Sequence, residues 1–318
     1  MSAAPGPPGG APVLLLDAAS LYYRAFHGVP RSLTAPDGTP VNAVRGFLDA
    51  VALLVDVHRP ARLVACWDED WRPAFRVAAL PSYKAHRVGA DGAEDTPPQL
   101  VPQVDVIVRV LAALGLARAG AAGHEADDVA ATLAARAVAA GGRGPVLVVT
   151  GDRDLFQLVD DRTGVGVLYV GKGVRRAERV DEAWLRERYG VDGRGYADLA
   201  ALRGDPSDGL PGVAGIGQKT AAALLARFGD LAGVRAAAAD PSSDLPAGQR
   251  RRLLEAAAYL DAAPVVVRTV RGAPVPEVDG ALPAAPADPG ALAELTERWG
   301  LGGSVQRVLA ALERARTP

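Results

Sequence analysis

Aspartate closes three short apolar runs in this chain. PVLLLDAAS stops at Asp17, ARLVACWDED near Asp68 and GPVLVVTGDRD at Asp152. Apolar runs this short, bounded by polar residues, read as buried strands. Long helical stretches separate them, which predicts βαβ units and a largely parallel sheet. In such a sheet the ligand crevice lies beyond the carboxyl ends of the strands, so the three strands deliver three acids to one place. Asp154 follows Asp152 in the same loop. Glu125, Asp127 and Asp128 open a helical stretch, with Glu125 and Asp128 on one face at i, i+3. Asp205 and Asp208 sit three apart in LRGDPSDGLPG.

Each acid taken alone has a plain structural explanation. Acids at a helix start complement its dipole, and aspartate after a strand makes turns. Together they do not, because so many carboxylates in one cleft repel each other and some would have to stay protonated. Divalent cations remove that conflict. All-oxygen ligation favours Mg²⁺, with Mn²⁺ as substitute, over zinc, and no Cys/His cluster competes. Two such ions roughly 4 Å apart suit phosphodiester hydrolysis.

Two further segments suggest a phosphate-bearing substrate. Gly212, Gly215 and Gly217 lie in a turn that runs through Lys219 and Thr220 into a helix over 218–228. Glycine lets another backbone approach, and a helix start offers free N–H groups to an anion. A helical hairpin of this kind holds a DNA phosphate without reading bases. Residues 72–98 are polar, basic and broken by proline. They carry Arg72, Arg76, Lys84, His86 and Arg87 among Trp71, Phe75 and Tyr83. One helical turn would aim Lys84 and Arg87 at the same point, to grip the scissile phosphate while Tyr83 stacks on a base. The alternative is a solvated loop. The chain has three lysines, Lys84, Lys172 and Lys219, all in such loops or turns.

The elements that must position these groups are an ordinary globular set. The chain has 318 residues, 35 Lys plus Arg against 37 Asp plus Glu, and 49% apolar residues, which excludes wholesale disorder. The net charge of −2 gives no global sign of nucleic-acid binding. The single cysteine, Cys66, cannot form an internal disulfide and reads as a buried filler, which fits a cytoplasmic protein. No window approaches a membrane span, and MSAAPGPPGGAP is no signal peptide, so residues 1–11 read as a disordered leader. Helices are predicted over 41–58, 99–117 and 125–140. VGVLYV and VRRAERV flank Gly171-Lys172-Gly173 as a hairpin. From about residue 182 short helices take over. Residues 271–290 read as a loose linker before helices at 290–299 and 303–315.

Six segments in order make the chain resemble the 5′-nuclease superfamily. This superfamily comprises the 5′→3′ exonuclease domain of bacterial DNA polymerase I, stand-alone 5′-3′ exonucleases and flap endonucleases. The segments are DAASLYYRAFH, ACWDED, FRVAALPSYKAHR, HEADDVAATLA, TGDRDLFQLV and GDPSDGLPGVAGIGQKTA. The resemblance implies an α/β fold with a PIN-like (resolvase-like) catalytic core over 12–195 and a helix–three-turn–helix DNA-binding subdomain over 196–265. A linker and helical tail would occupy 266–318. Asp17, Asp68, Glu125 and Asp127 would surround one metal. Asp152, Asp154, Asp205 and Asp208 would surround a second, with Asp128 close by. Arg24, Arg76, Lys84 and Arg87 would contact phosphates, with 72–98 as the helical arch over a 5′ single strand. Gly212 to Thr220 would grip the duplex and hold a K⁺ ion.

The implied activity is hydrolysis of DNA carrying a 5′ flap or end beside duplex, leaving 5′-phosphate and 3′-hydroxyl ends, in primer or flap removal. A monomer is the default state. Gly209 stands where the family usually has asparagine, which is expected to loosen the loop carrying Asp208. No polymerase sequence follows residue 318, so a stand-alone nuclease is expected. A PIN-type ribonuclease and a non-catalytic binder of branched DNA are the rival readings. A TOPRIM-like site would need a glutamate in place of Asp17.

Overall fold

The computed structural model describes residues 10–90, 92–142 and 144–316; most of the expected leader and Asp91 of the 72–98 stretch lie outside them. Six strands form one sheet: β1 Val13–Asp17, β2 Arg62–Cys66, β3 Ala117–Ala119, β4 Val146–Thr150, β5 Val165–Tyr169 and β6 Glu178–Val180. Their order is β3-β2-β1-β4-β5-β6, and every pairing is parallel except β5 with β6. The chain winds outward from β1 in both directions, so the strand order reverses beside β1 and β4. A crevice opens at such a switch point. The register fixes what faces it. Asp17 pairs with Cys66, and Leu16 with Val149, so Asp17, Asp68 and Asp152 emerge at the same end of three neighbouring strands.

Alternation sends successive side chains of each strand to opposite faces. Leu15, Val64, Val148 and Val167 join one core with helix Ala126–Ala139 and the helices from Gly193 to Val267. Leu14, Leu16, Leu63, Leu147, Val149 and Leu168 join the other, under helices Asn42–His58, Val101–Leu114 and Gly302–Arg316. Cys66 is fully buried, as expected of a filler.

Three features depart from the sequence expectation. The helix expected over 99–117 ends at Leu114 because Gly115 turns left-handed (φ 79°), and Ala117–Ala119 becomes edge strand β3. Three residues are too short for a pattern to reveal. Residues 72–98 form one six-residue helix, Ala74–Ala79, a 3₁₀ turn, Ala85–Arg87, and a bend bridged by Val88 and Glu94 rather than a long helical arch. Residues 271–290 are not a loose linker. Ala273 and Val275 are buried, the Leu63 N–H donates to the Gly280 carbonyl, and the Asp288 N–H to that of Ala113. Alanine and proline there lack regular spacing because this segment packs as irregular chain, with neither a helix nor a strand period.

The last helices, Pro289–Arg298 and Gly302–Arg316, complete the second core through Leu292, Leu295, Leu301, Val305, Val308 and Leu312. Arg307 and Arg314 clamp this end to Asp49 and Asp56 of helix Asn42–His58. Among the described residues no helix is long and apolar enough to cross a membrane. Leu301 is fully buried between the two last helices, so Leu301→Ala is expected to cost about 2–5 kcal/mol. Chemical denaturation would read this as a lower midpoint with an unchanged slope.

Candidate active site

A cleft of about 940 Å³ opens where the strands end, lined by Asp17, Asp68, Glu125, Asp127, Asp152 and Asp205. Asp17 ends β1 and caps the helix that follows, accepting from the Ser20 N–H at 3.0 Å and the Thr150 hydroxyl at 2.6 Å. Asp68 accepts from the Ala126 N–H at 2.7 Å, which ties β2 to the helix bearing Asp127. Asp152 accepts from the Asp154 N–H at 2.9 Å, and Asp205 from the Ser207 N–H at 2.9 Å. Short turns thus hold Asp17, Asp152 and Asp205 by amides two or three residues on, while Asp68 is held by one from a distant helix start.

Burial, with mutual repulsion behind it, raises the proton affinity of five aspartates here. Burial is the first cause throughout. It lifts Asp17 to about 6, Asp68 to about 7 and Asp208 to about 6. Asp127 and Asp154 lie well above the ordinary carboxylate value, with repulsion from Asp152 as the second cause. The donors are all hard oxygens, which fits divalent ions of the Mg²⁺ class in charge and ligand type. Among the described residues no three His, Cys, Asp or Glu side chains are grouped tightly enough to hold an ion as they stand. The acids ring the cleft with their spacing unclosed.

The cationic residues divide sharply. Lys84, with left-handed backbone (φ 48°), sends its ammonium to Glu125. Arg87 pairs with Asp208 at 2.9 Å and donates to the Ser207 carbonyl at 2.8 Å. Both line the cleft, but they engage different acids rather than one point. Arg24 also lines it, donating to the carbonyls of Val170 at 3.2 Å and Gly171 at 2.6 Å. Its guanidinium packs against Gly151, where a Cβ would force it to shift.

Arg76, Tyr83 and Asp128 are placed otherwise than expected. Arg76 is 2% exposed. It donates to Asp128 at 2.6 and 2.8 Å, to Glu125 at 2.5 Å and to the Val266 carbonyl at 3.1 Å. It anchors the helix start and is closed to a phosphate. Asp128 is fully buried, bound to Arg76, and accepts from the Val270 N–H at 2.8 Å, so it faces away from the cleft. Tyr83 is buried and donates to Glu125 at 2.7 Å, leaving no face for a base.

The glycine-rich turn is built as its composition suggests. Gly212 (φ 67°) and Gly215 (φ 70°) are left-handed, and a Cβ would meet the Arg203 carbonyl in one case and the Arg252 guanidinium in the other. Gly217 begins helix Gln218–Phe228 with no side-chain cap, which leaves the first N–H groups open beside Lys219 and Thr220. Gly209 does not loosen its loop. A Cβ there would strike the Ser82 carbonyl, and the Ser82 hydroxyl donates to the Gly209 carbonyl at 2.9 Å. The cleft wall also includes Tyr23, Glu94, Arg153, Arg203 and Gln218. Their isolated positions gave no spacing signal, although Arg153 lies between two of the acids.

A family described as the 5′-3′ exonuclease N-terminal resolvase-like domain matches residues 12–190, and the 5′-3′ exonuclease C-terminal SAM fold matches 191–289. A 5′-3′ exonuclease of Streptomyces coelicolor is 62% identical over 304 residues, covering 94% of this chain and 99% of that one. One of Mycobacterium tuberculosis is 51% identical, covering 95% and 98%. The bacteriophage T5 flap endonuclease, solved as a pseudo-enzyme-product complex with DNA and metal ions, superposes with a TM-score of 0.62 at 16% identity. That match covers 95% of this chain and 99% of the phage chain.

Two expected outcomes follow from the geometry. Arg76→Ala leaves Asp128 and Glu125 without their buried partner and should cost about 3–5 kcal/mol. A surface phosphate contact would instead cost little stability, so denaturant midpoints separate the two. Between the ordinary carboxyl value of 3.8 and the folded values of about 6 to 7, the native state holds more protons than the unfolded chain. Stability of the metal-free protein therefore falls as pH rises through that window. Calorimetry should show a lower Tm at about pH 8 than at about pH 5, and a larger rise on adding Mg²⁺ at the higher pH, where protons no longer compete.

Proposed function

The chain belongs to the 5′-3′ exonuclease family, and we propose that it hydrolyses DNA phosphodiester bonds from the 5′ side, acting where a single-stranded 5′ end or flap meets duplex. The observation that carries this reading is the ring of carboxylates, delivered by three strand ends, one helix start and the 205–208 loop, within which burial foremost raises the proton affinities of Asp17, Asp68 and Asp208. The carboxylates repel a phosphate diester, and added positive charge would offset that repulsion.

Asp17, Asp68, Glu125 and Asp127 would hold one Mg²⁺, and Asp152, Asp154, Asp205 and Asp208 a second, with Mn²⁺ as substitute. The ions would activate water and stabilise the leaving oxygen. The bond broken is phosphorus to 3′-oxygen, which leaves 5′-phosphate and 3′-hydroxyl ends. Lys84 and Arg87 sit on the cleft wall, each held by one of these acids. Neutralising Glu125 and Asp208 frees both cations to steady the non-bridging oxygens of the scissile phosphate. Arg24, fixed on the carbonyls of Val170 and Gly171, would add positive potential to the same cleft.

The open N–H groups at Gly217, with Lys219 and Thr220, would take a duplex phosphate, and the same turn is where a K⁺ ion would bind. On this reading residues 12–195 do the chemistry and 196–265 hold the duplex. The tail packs back on the sheet, and a monomer suffices. Removal of primers or flaps in replication and repair is the use this activity serves.

The test is a 5′-labelled flap duplex incubated with Mg²⁺ and with EDTA. Cleavage is expected only with metal. Asp152→Ala, at an exposed position, should slow it by about 10²-fold or more without lowering the Tm. Intact flap with metal present refutes the reading, and faster cutting of unstructured RNA would favour a ribonuclease.

A further inference from the structure

A second concavity, of about 400 Å³, lies on the sheet face covered by helix Asn42–His58 and shares no lining residue with the acidic cleft. Its floor is aliphatic, made by Leu54, Val57, Leu147, Leu168, Val174 and Ala177. Val57 is 64% exposed, more than any other large apolar side chain among the described residues. Arg175 and Arg179 form the rim, with Arg176 beside them in the 3₁₀ turn Val174–Arg176.

These three arginines are exposed, and among the described residues none has a carboxylate at ion-pair distance. The nearby acids are already engaged. Glu178 meets Lys172 at 3.5 Å and Arg188 at 3.9 Å, and Asp56 meets Arg314 at 2.7 Å. His58, half-buried at the groove's edge, is held towards its neutral form by burial and by the charge of Arg179. A chain with a net charge of −2 thus keeps a local excess of positive charge around an open apolar floor.

We propose that this groove docks an acidic segment of a partner protein, with a bulky apolar side chain seated between the arginines. Aliphatic lining gains from burying an apolar side chain. The guanidinium forks fit carboxylates in bidentate pairs, and their uncompensated field draws an acidic segment in. A nucleic-acid strand is the weaker match, because among the described residues the groove is lined by no Phe, Tyr or Trp on which a base would stack. Docking here leaves the acidic cleft open, so it would hold the protein to an assembly without blocking its substrate. The proposal does not depend on the reaction assigned to the cleft.

The test uses the full chain and a fluorescein-labelled peptide in which a run of aspartates is followed by leucine and a terminal phenylalanine. Fluorescence anisotropy at low salt should show saturable binding. Arg175→Glu with Arg179→Glu, or Val57→Asp alone, should weaken it at least about tenfold, as should serine in place of the peptide's two apolar residues. Flap cleavage without partner should be unchanged. All three positions are exposed, and Arg175→Gln with Arg179→Gln serves where charge reversal lowers the Tm. Absence of saturable binding overturns the proposal. So does binding that ignores these substitutions, and so does a loss of flap-DNA affinity in the arginine variants with peptide binding intact, which would assign the rim to nucleic acid.

Discussion

Asp17, Asp68, Asp127, Asp154 and Asp208 share a space in which burial and mutual repulsion work against their ionised forms. Every other feature of this end of the molecule answers that strain. Amides of Ser20 and Ala126 and the Thr150 hydroxyl each donate to one of these carboxylates. Lys84 and Arg87 lean onto Glu125 and Asp208. Protons or cations must supply the rest. A cleft so constructed disfavours an anion and favours positive ions.

Much of this was legible in the residues themselves. Apolar runs closed by Asp17, Asp68 and Asp152 fixed three parallel strands and the end at which their acids emerge, because strand direction and register leave no freedom once the sheet is parallel. The limits of helix Ala126–Ala139 followed from the acids at Glu125 to Asp128 and from Gly141 and Gly142, whereas the stop at Gly115 went unread. Partners at long sequence separation were not legible. Arg76, Tyr83 and Asp128 carry the same residue types as a substrate-binding patch. What distinguishes them is burial: Arg76 and Asp128 bind the backbone of Val266 and Val270, 190 and 142 residues away, and Tyr83 meets Glu125. Composition cannot separate an arginine that meets a phosphate from one that meets a buried carboxylate.

The same holds for small residues. Gly209 looked like a loss of order where a side chain is usual. Its value is the absence of a side chain, since the Ser82 carbonyl occupies the space a Cβ would need. The proline- and alanine-rich stretch after Arg271 likewise reads as slack, yet its backbone satisfies the edge of β2 through Gly280. In both cases the informative quantity is what approaches from elsewhere in the fold.

The knot around Arg76 has a bearing on how the protein comes into being. The guanidinium needs the Val266 carbonyl, and Asp128 needs the Val270 amide. Neither exists until the ribosome has passed those codons. A nascent chain can pair its strands and tie the Ala126 amide to Asp68 early, but the knot on Arg76 and Asp128 closes only once Val266 and Val270 have been made.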